Sequence, residues 1–367
     1  MSKQIYLDAP NIGNKERDFL NRALESGYVS TVGPFVPEFE ERFARYLGME
    51  KAVSTQSGTA AVHIALYELG IGPGDEVIVP ALTFVATVNP VMYVGAKPVF
   101  VDVDSRTWNI DPAEIQRNIS ERTKAIIPVH LYGNPCNMGD IMRIAGEHDI
   151  YVVEDAAESL GAKYGDRFTG TLGDFGCFSF NGNKVMTTGG GGMIAGKDKE
   201  KVEHIKFLVN QARDEEKGYY HPEIGFNYRM TNLEAALGLA QLERLDGFLA
   251  KKRVLNKIYR EELGSLEFIS FQDEYDGAES SCWLTCITFS KKVDLSSLRG
   301  ALMEKGIPTR RLFMPVTEFP PYKEYKNCGL KNTDSLYEKS LCLPSSTLND
   351  EGAINYVCSA IKGLVSQ

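Results

Sequence analysis

No apolar run in the chain approaches the ~20 residues that would cross a bilayer, and the opening residues run straight into mixed sequence without a signal-peptide core. The sequence alone therefore points to a cytoplasmic protein with no membrane partner. A basic excess is also missing: lysine plus arginine number 40 against 49 aspartates and glutamates, a net charge of −9. Nucleic-acid binding draws on clustered cations that displace counterions, so no nucleic-acid partner is expected. There are only five histidines, and none is spaced for a metal. The seven cysteines (Cys136, Cys177, Cys282, Cys286, Cys328, Cys342 and Cys358) are odd in number and scattered. Cys282 and Cys286 form the one close pair, with no second pair at zinc-site spacing. Reduced, mostly buried thiols and no metal are the expectation. Internal repeats and low-complexity tracts are absent as well.

What is present is an ordinary globular composition, 43% hydrophobic and 24% charged, over 367 residues. That length suits two to three domains, or one large domain with an appendage. The first ~50 residues read as helical and polar. From about residue 50 to 200, continuous apolar runs alternate with helical stretches. The runs are Glu76-Val77-Ile78-Val79, Pro98-Val99-Phe100-Val101, Ala125-Ile126-Ile127-Pro128-Val129 and Ile150-Tyr151-Val152-Val153. Runs without alternation suit strands buried on both faces of a mostly parallel sheet, so the fold class is α/β. Residues 233–263 carry one long amphipathic helical pattern. Beyond residue 265 a strand over 283–289 and a helix over 295–305 indicate a smaller α+β unit. The division predicted is a large domain over 1–240 and a linking helix with a small C-terminal domain over 241–367.

Three motifs carry chemistry. Ser57-Gly58-Thr59-Ala60-Ala61 opens an apolar helix, whose free N–H groups and positive dipole end suit a phosphate. The same residues could simply cap that helix. Val152-Val153-Glu154-Asp155-Ala156-Ala157-Glu158 ends a strand in acids, where parallel sheets place ligands. Asp155 could hold a protonated ring nitrogen there, or cap the following helix. Finally, Lys184 lies between the aromatic run Cys177-Phe178-Ser179-Phe180 and the glycines 189–192. A desolvated lysine can attack a carbonyl, whereas a lone lysine is ordinarily a solvated charge. The glycine run lacks the spacing of a dinucleotide fingerprint, which disfavours a nicotinamide enzyme. Each signal is weak alone, but their order is that of an aldehyde cofactor with a ring nitrogen and a phosphate. Pyridoxal 5′-phosphate, with pyridoxamine phosphate as its aminated form, needs this combination of lysine, acid and phosphate donors.

At these residues the sequence resembles the pyridoxal-phosphate-dependent nucleotide-sugar aminotransferases of the DegT/DnrJ/EryC1/StrS group. The likeness runs nearly the whole chain. It includes Gly74-Asp75-Glu76-Val77-Ile78-Val79-Pro80 with Thr83-Phe84, His130-Leu131-Tyr132-Gly133, Phe178-Ser179-Phe180-Asn181-Gly182-Asn183-Lys184 and Gly225-Phe226-Asn227-Tyr228-Arg229-Met230-Thr231-Asn232. The resemblance implies a fold-type I aminotransferase that works as a homodimer with shared active sites. It implies that Lys184 bonds the cofactor and moves the proton, Asp155 pairs with the ring nitrogen and Phe84 stacks on the ring. Gly58, Thr59 and Ser179 would bind the phosphate, with Asn227 reaching it from the other subunit. Ser30, Thr31, Asn181 and Arg229 would serve the substrate. Glu158 would sit by the phenolic oxygen, where many relatives have glutamine; a carboxyl there has to be protonated or bonded through a donor.

Within the group, histidine in place of the lysine marks sugar dehydratases, so Lys184 favours amino transfer. Glu158-Ser159-Leu160-Gly161 lacks the glutamine and histidine that tend to mark transfer to carbon 3, and the block from Asn181 to the glycine run looks more like carbon-4 enzymes. The resemblance thus implies transfer from L-glutamate to carbon 4 of a nucleotide-linked 4-keto-6-deoxy sugar, for surface-glycan synthesis such as that of lipopolysaccharide O-antigen. Two product types fit. Gln211-Ala212-Arg213 resembles enzymes making UDP-4-amino-4,6-dideoxy-N-acetylhexosamines, while Trp283-Leu284-Thr285 and the Tyr228 stretch resemble the GDP-perosamine type. A carbon-3 transferase, a dehydratase on the same fold and a non-catalytic regulator are the alternatives.

Overall fold

The computed structural model describes residues 4–214, 216–325 and 329–365; Cys328 and the first three residues lie outside them. Two helices, α1 (Asn14–Glu25) and α2 (Phe35–Leu47), precede a seven-stranded sheet. Its strands are β1 (Ala52–Thr55), β2 (Glu76–Pro80), β3 (Lys97–Val101), β4 (Thr123–Ile126), β5 (Tyr151–Asp155) and, after a short hairpin of β6 (Lys163–Tyr164) and β7 (Arg167–Phe168), β8 (Phe175–Ser179) and β9 (Gly192–Gly196). They are ordered β1-β9-β8-β5-β4-β2-β3. Neighbours are parallel except where β9 meets β8 and β1, so β9 alone runs against the rest.

Helices α3 (Gly58–Glu68), α4 (Asn89–Tyr93), α5 (Pro112–Asn118), α6 (Met138–His148) and α7 (Lys199–Val209) connect or flank these strands. β1, β2 and β9 are buried along their whole length, which is why Val77-Ile78-Val79 in β2 and Met193-Ile194-Ala195 in β9 are apolar without alternation. One face packs on an aromatic cluster in which Phe43 meets Phe178 at 5.1 Å and Phe39 meets Phe180 at 5.4 Å between ring centres. The expected α/β class and mostly parallel sheet are what the chain forms. The fourth strand is shorter than its apolar run: it ends at Ile126, and only an isolated bridge from Val129 to Asp155 continues it beyond Pro128.

The single helix expected over 233–263 is instead two, α8 (Asn232–Leu242) and α9 (Leu245–Leu263). No glycine or proline stands at the joint; tertiary ion pairs do. Arg244 donates to Glu16 at 2.6 Å and to the Asn11 carbonyl at 3.0 Å, and Glu243 accepts from Lys15 at 2.6 Å. The N-terminus of α8 carries a Thr231–Glu234 capping box.

The smaller unit is a four-stranded antiparallel sheet of β10 (Ile269–Phe271), β12 (Cys286–Phe289), β13 (Arg310–Arg311) and β14 (Ser340–Cys342), covered by α10 (Leu295–Glu304), α11 (Lys331–Lys339) and α12 (Glu351–Val365). The two-residue β11 (Ala278–Glu279) pairs instead with β6. The strand expected from Trp283 starts only at Cys286, because Trp283 leaves the sheet for the cavity described below. Residues near the N-terminus join this unit. Ile5 is buried in its core, the Tyr6 N–H donates to Asn349 Oδ1 at 2.9 Å, and the Ser345 N–H donates to the Leu7 carbonyl at 2.6 Å.

Among the described residues no helix is long and apolar enough to cross a membrane, and no three histidines, cysteines or acids are grouped to hold a metal. The six described cysteines are buried and unbridged, although Cys286 and Cys342 face each other across β12 and β14 with their sulfurs 3.4 Å apart.

Tight backbone packing beside β5 gives a first prediction. A Cβ on Gly176 in β8 would lie 2.0 Å from the Gly170 carbonyl oxygen, against backbone that cannot step aside as a side chain can. Gly176→Ala should destabilise the protein by about 3 kcal/mol or more, read as a lowered urea midpoint of unfolding.

Candidate active site

The carboxyl ends of the parallel strands and the adjoining loops open onto a cavity of about 290 Å³. Its wall includes Gly58, Thr59, Phe84, Asp155, Glu158, Ser179, Asn181 and Lys184, so eight of the residues singled out from sequence converge there. Helix α3 points its N-terminus into it. Ser57 caps that helix, its Oγ accepting from the Ala60 N–H at 3.1 Å, so the capping and anion-binding readings of this motif both apply. Only glycine fits at the next position, since a Cβ on Gly58 would stand 2.8 Å from Ser179 Cβ and 3.3 Å from the Phe178 carbonyl oxygen. That close approach places Ser179, at the end of β8, beside the start of α3.

Strand alternation separates the two acids that end β5. Glu154 turns into the protein. It accepts from the backbone N–H groups of Gly170, Leu172 and Gly173 at 2.6–2.8 Å and is paired with His130 Nε2 at 2.9 Å. Burial pushes the Glu154 carboxyl up, but the His130 contact and these donors outweigh it and hold it below the usual range. Asp155 turns to the cavity. Its Oδ2 accepts from Thr87 Oγ1 at 2.7 Å and its Oδ1 from the Ala157 N–H at 3.1 Å, which fixes the carboxylate's direction.

Lys184 follows β8 and lies largely buried, its side chain 13% exposed. Its Nζ is 3.5 Å from Glu158 Oε1 and 4.2 Å from the centre of the Trp283 ring. The indole is itself anchored: its Nε1–H donates to the Asn183 carbonyl at 2.7 Å, and the Trp283 carbonyl accepts from Lys252 Nζ at 2.9 Å. Lys252 Nζ also donates to the Ser345 carbonyl at 2.9 Å, and burial drives its amine down to about 8 against the weaker pull of Asp8. Burial raises the Glu158 carboxyl above the usual range, against the pull of Lys184, and its Oε2 accepts from the Tyr132 N–H at 2.8 Å.

A raised folded value means that the folded chain keeps this proton to higher pH than the unfolded chain does. The resulting contribution to stability is present below the ordinary value near 4.5 and is lost as pH rises through the folded value. Glu158→Gln cannot titrate. Its melting temperature relative to the parent should therefore climb between pH 4.5 and 8, as measured on cofactor-free protein.

Phe84 is 52% exposed on the cavity rim, its ring 5.5 Å from Phe313. Four of the predicted residues do not line the cavity of a single chain. Ser30 and Thr31 lie in the loop before α2, where the Ser30 carbonyl accepts from the Asn232 N–H. Asn227 is exposed beside Asn210, and the Arg229 Nε is buried without a partner. Sequence reasoning missed Thr87, Arg310 and Phe313 as wall residues and gave Trp283 no role. Thr87 carries no motif, while Arg310, Phe313 and Trp283 come from the distant smaller unit.

The cavity thus joins a helix N-terminus, a fixed carboxylate and a buried amine, which fits a phosphate, a protonated ring nitrogen and an aldehyde. A model of the DegT/DnrJ/EryC1/StrS aminotransferase family matches residues 10–362. The chain belongs to this family. Members of the DegT family similar to it include the GDP-perosamine synthases of Escherichia coli O157:H7, 39% identical with 99% of each chain covered, and of Caulobacter vibrioides, 40% identical over 98% of this chain and 97% of that protein. Among solved structures, Spr1654 of Streptococcus pneumoniae, a proposed sugar aminotransferase captured in PMP and PLP forms, superposes with TM-scores of 0.95 and 0.94. It is 27% identical in sequence, and the PMP form covers 99% of this chain and 98% of its own. The protein is therefore an aminotransferase that uses pyridoxal phosphate, as the motif order indicates, and its fold is that of the family's solved members.

Proposed function

We propose that the enzyme moves the amino group of L-glutamate to carbon 4 of a GDP-linked 4-keto-6-deoxy sugar, a precursor for surface glycans. The observation that carries this reading is near-full-length similarity to two GDP-perosamine synthases, with the amine of Lys184 in the cavity that the family's cofactor requires. That similarity favours the GDP-linked over the UDP-linked type, and the lysine favours transfer over dehydration.

When bound, pyridoxal phosphate supplies the aldehyde that takes the amino group and a ring that spreads the charge developing on the donor carbon. The chain does the rest. Gly58, Thr59 and Ser179 hold the phosphate at the start of α3, and Asp155 keeps the ring nitrogen protonated. Phe84 covers the ring from the rim. Lys184 would bond the cofactor's aldehyde, and its amine would carry the proton between the donor or sugar carbon and the cofactor's aldehyde carbon. Trp283 walls its Nζ from water. Glu158 faces the phenolic oxygen, and Asn181 meets the sugar. In a homodimer, Asn227 reaches the phosphate of the partner's site, while Arg229 and the Ser30-Thr31 loop meet the nucleotide sugar. The enzyme works in the cytoplasm, where its nucleotide-linked substrate would be supplied.

The test starts from the pyridoxamine form. GDP- and UDP-linked 4-keto-6-deoxy sugars are offered separately while the aldehyde spectrum is followed. Recovery with the GDP sugar is expected; recovery with the UDP sugar alone would replace the nucleotide assignment, and recovery with neither would overturn the substrate class.

A further inference from the structure

Lys252 is the one charged side chain on the buried face of α9, where its neighbours include Phe248, Leu249, Leu255 and Tyr259. Burying an amine there is costly, and an apolar chain of the same length would fill the space without that cost. What the amine does is hold two carbonyls that lie outside the strands. Its Nζ donates to Trp283 and to Ser345, both at 2.9 Å. The backbone beside Trp283 is strained: Cys282 has a φ of 52°, in the left-handed region that a residue with a Cβ rarely enters. That turn precedes β12 and carries Trp283 into the cavity wall, where its ring centre is 4.2 Å from Lys184 Nζ and its Nε1–H donates to the Asn183 carbonyl at 2.7 Å. The residue is thus tied at both ends, through its ring to the neighbour of Lys184 and through its own carbonyl to α9.

We infer that Lys252 is a positioning residue for the transfer chemistry, acting through Trp283 to fix the Lys184 amine in the cavity. The inference rests on the reading above that Lys184 carries the proton. An indole face attracts an ammonium and gives it one preferred side of approach. It does so only while the ring stays in place, and a ring carried on a strained turn relaxes away once its carbonyl loses the donor that holds it. The Asn183 bond alone does not fix the tilt, since a plane pinned at one atom still swings about it. Lys252 supplies the second point. A misplacement of about 1 Å at a proton-carrying amine slows the transfer and leaves substrate binding intact. Ser345 extends the same anchor: its N–H donates to the Leu7 carbonyl, so one buried amine joins α9, the Trp283 turn and the N-terminal segment.

The holoenzyme tests this without any sugar. Conversion of the aldehyde form by L-glutamate is followed by absorbance in single turnovers. Lys252→Met, similar in length and without donors, should lower the rate at saturating glutamate about 10-fold and leave the half-saturating concentration within threefold. α-Deuterated glutamate should slow this variant at least as much as it slows the parent, because proton transfer is the step affected. Trp283→Leu removes the aromatic face. Adding Lys252→Met to it should cost less than a further threefold, since the anchor then has no ring to place. A third readout needs no turnover. The chain labelled with fluorotryptophan gives one fluorine NMR signal for each of its two tryptophans, assigned with Trp283→Leu. Lys252→Met should displace or broaden the Trp283 signal and move that of Trp108 less. The inference falls if the rate stays within threefold of the parent's, if half-saturation rises as much as the rate falls, if the isotope effect shrinks, if the effects of the two substitutions multiply, or if the Trp283 signal is unmoved. A lysine that only supported the fold would lower the melting temperature and change none of these. Should Lys252→Met fail to fold, Lys252→Gln decides by the same criteria. A parent enzyme that glutamate does not convert would refute the donor assignment instead, and the Trp283 signal would then decide this inference by itself.

Discussion

Lys184→Ala should lose turnover by at least about 10⁴-fold, because in the proposed mechanism one substitution removes both the group that bonds the cofactor and the group that carries the proton. The loss is read as release of 2-oxoglutarate under saturating substrates. The visible absorption of the lysine-bound cofactor disappears with it. The fold should survive: an alanine leaves space beside Trp283, while the indole keeps its own bonds to Asn183 and Lys252. Far-UV circular dichroism checks that point. The neighbour that feels the change is Glu158, which loses the cation 3.5 Å away and, buried as it is, should hold its proton to still higher pH. Turnover within tenfold of the parent would remove Lys184 from the chemistry.

Asp155→Asn is the second large effect, with an expected fall in kcat of about 10²–10³-fold. Asparagine keeps the size of the side chain, and its carbonyl can still accept from Thr87 or from the Ala157 N–H. What it lacks is the negative charge that keeps a ring nitrogen protonated in a buried place, where such an interaction is worth more than in water. The cofactor should remain attached to Lys184 and visible, so binding and rate separate. Single-turnover conversion with L-glutamate reports the rate, and absorbance of the resting enzyme reports occupancy. A rate within threefold of the parent would mean that another group protonates the ring.

These two residues were legible in the sequence because strand chemistry is local. Continuous apolar runs announced strands buried on both faces, and in a parallel sheet the residues just beyond such strands meet ligands. Asp155 and Lys184 are both placed that way. The same logic did not by itself settle whether Glu154 or Asp155 faces the cavity, since that depends on which side of the sheet each alternate residue meets. Glu154 turned out to bind backbone N–H groups of residues 170–173, a contact that no local pattern encodes. Arg310, Trp283 and Phe313 reach the cavity from about a hundred residues or more further on, through the docking of the smaller unit. The break between α8 and α9 was hidden for a related reason: residues 243 and 244 are good helix formers, and the ion pairs to Lys15 and Glu16 that hold the joint lie over two hundred residues away in sequence.

The bond between Tyr6 and Asn349 spans 343 residues of chain, and the Asp8–Arg310 contact that closes one side of the cavity spans 302. Closing so long a loop is entropically costly and slow, and interactions of this kind form late in folding. During synthesis, the large sheet can assemble as soon as β9 has emerged, but Tyr6 and Leu7 must wait for their partners until residues 345–349 have left the ribosome. The nascent enzyme would then acquire its sheet well before it acquires this wall of its cavity. A ribosome stalled after residue 260 should hold a protease-resistant sheet domain with an N-terminal segment still open to cleavage.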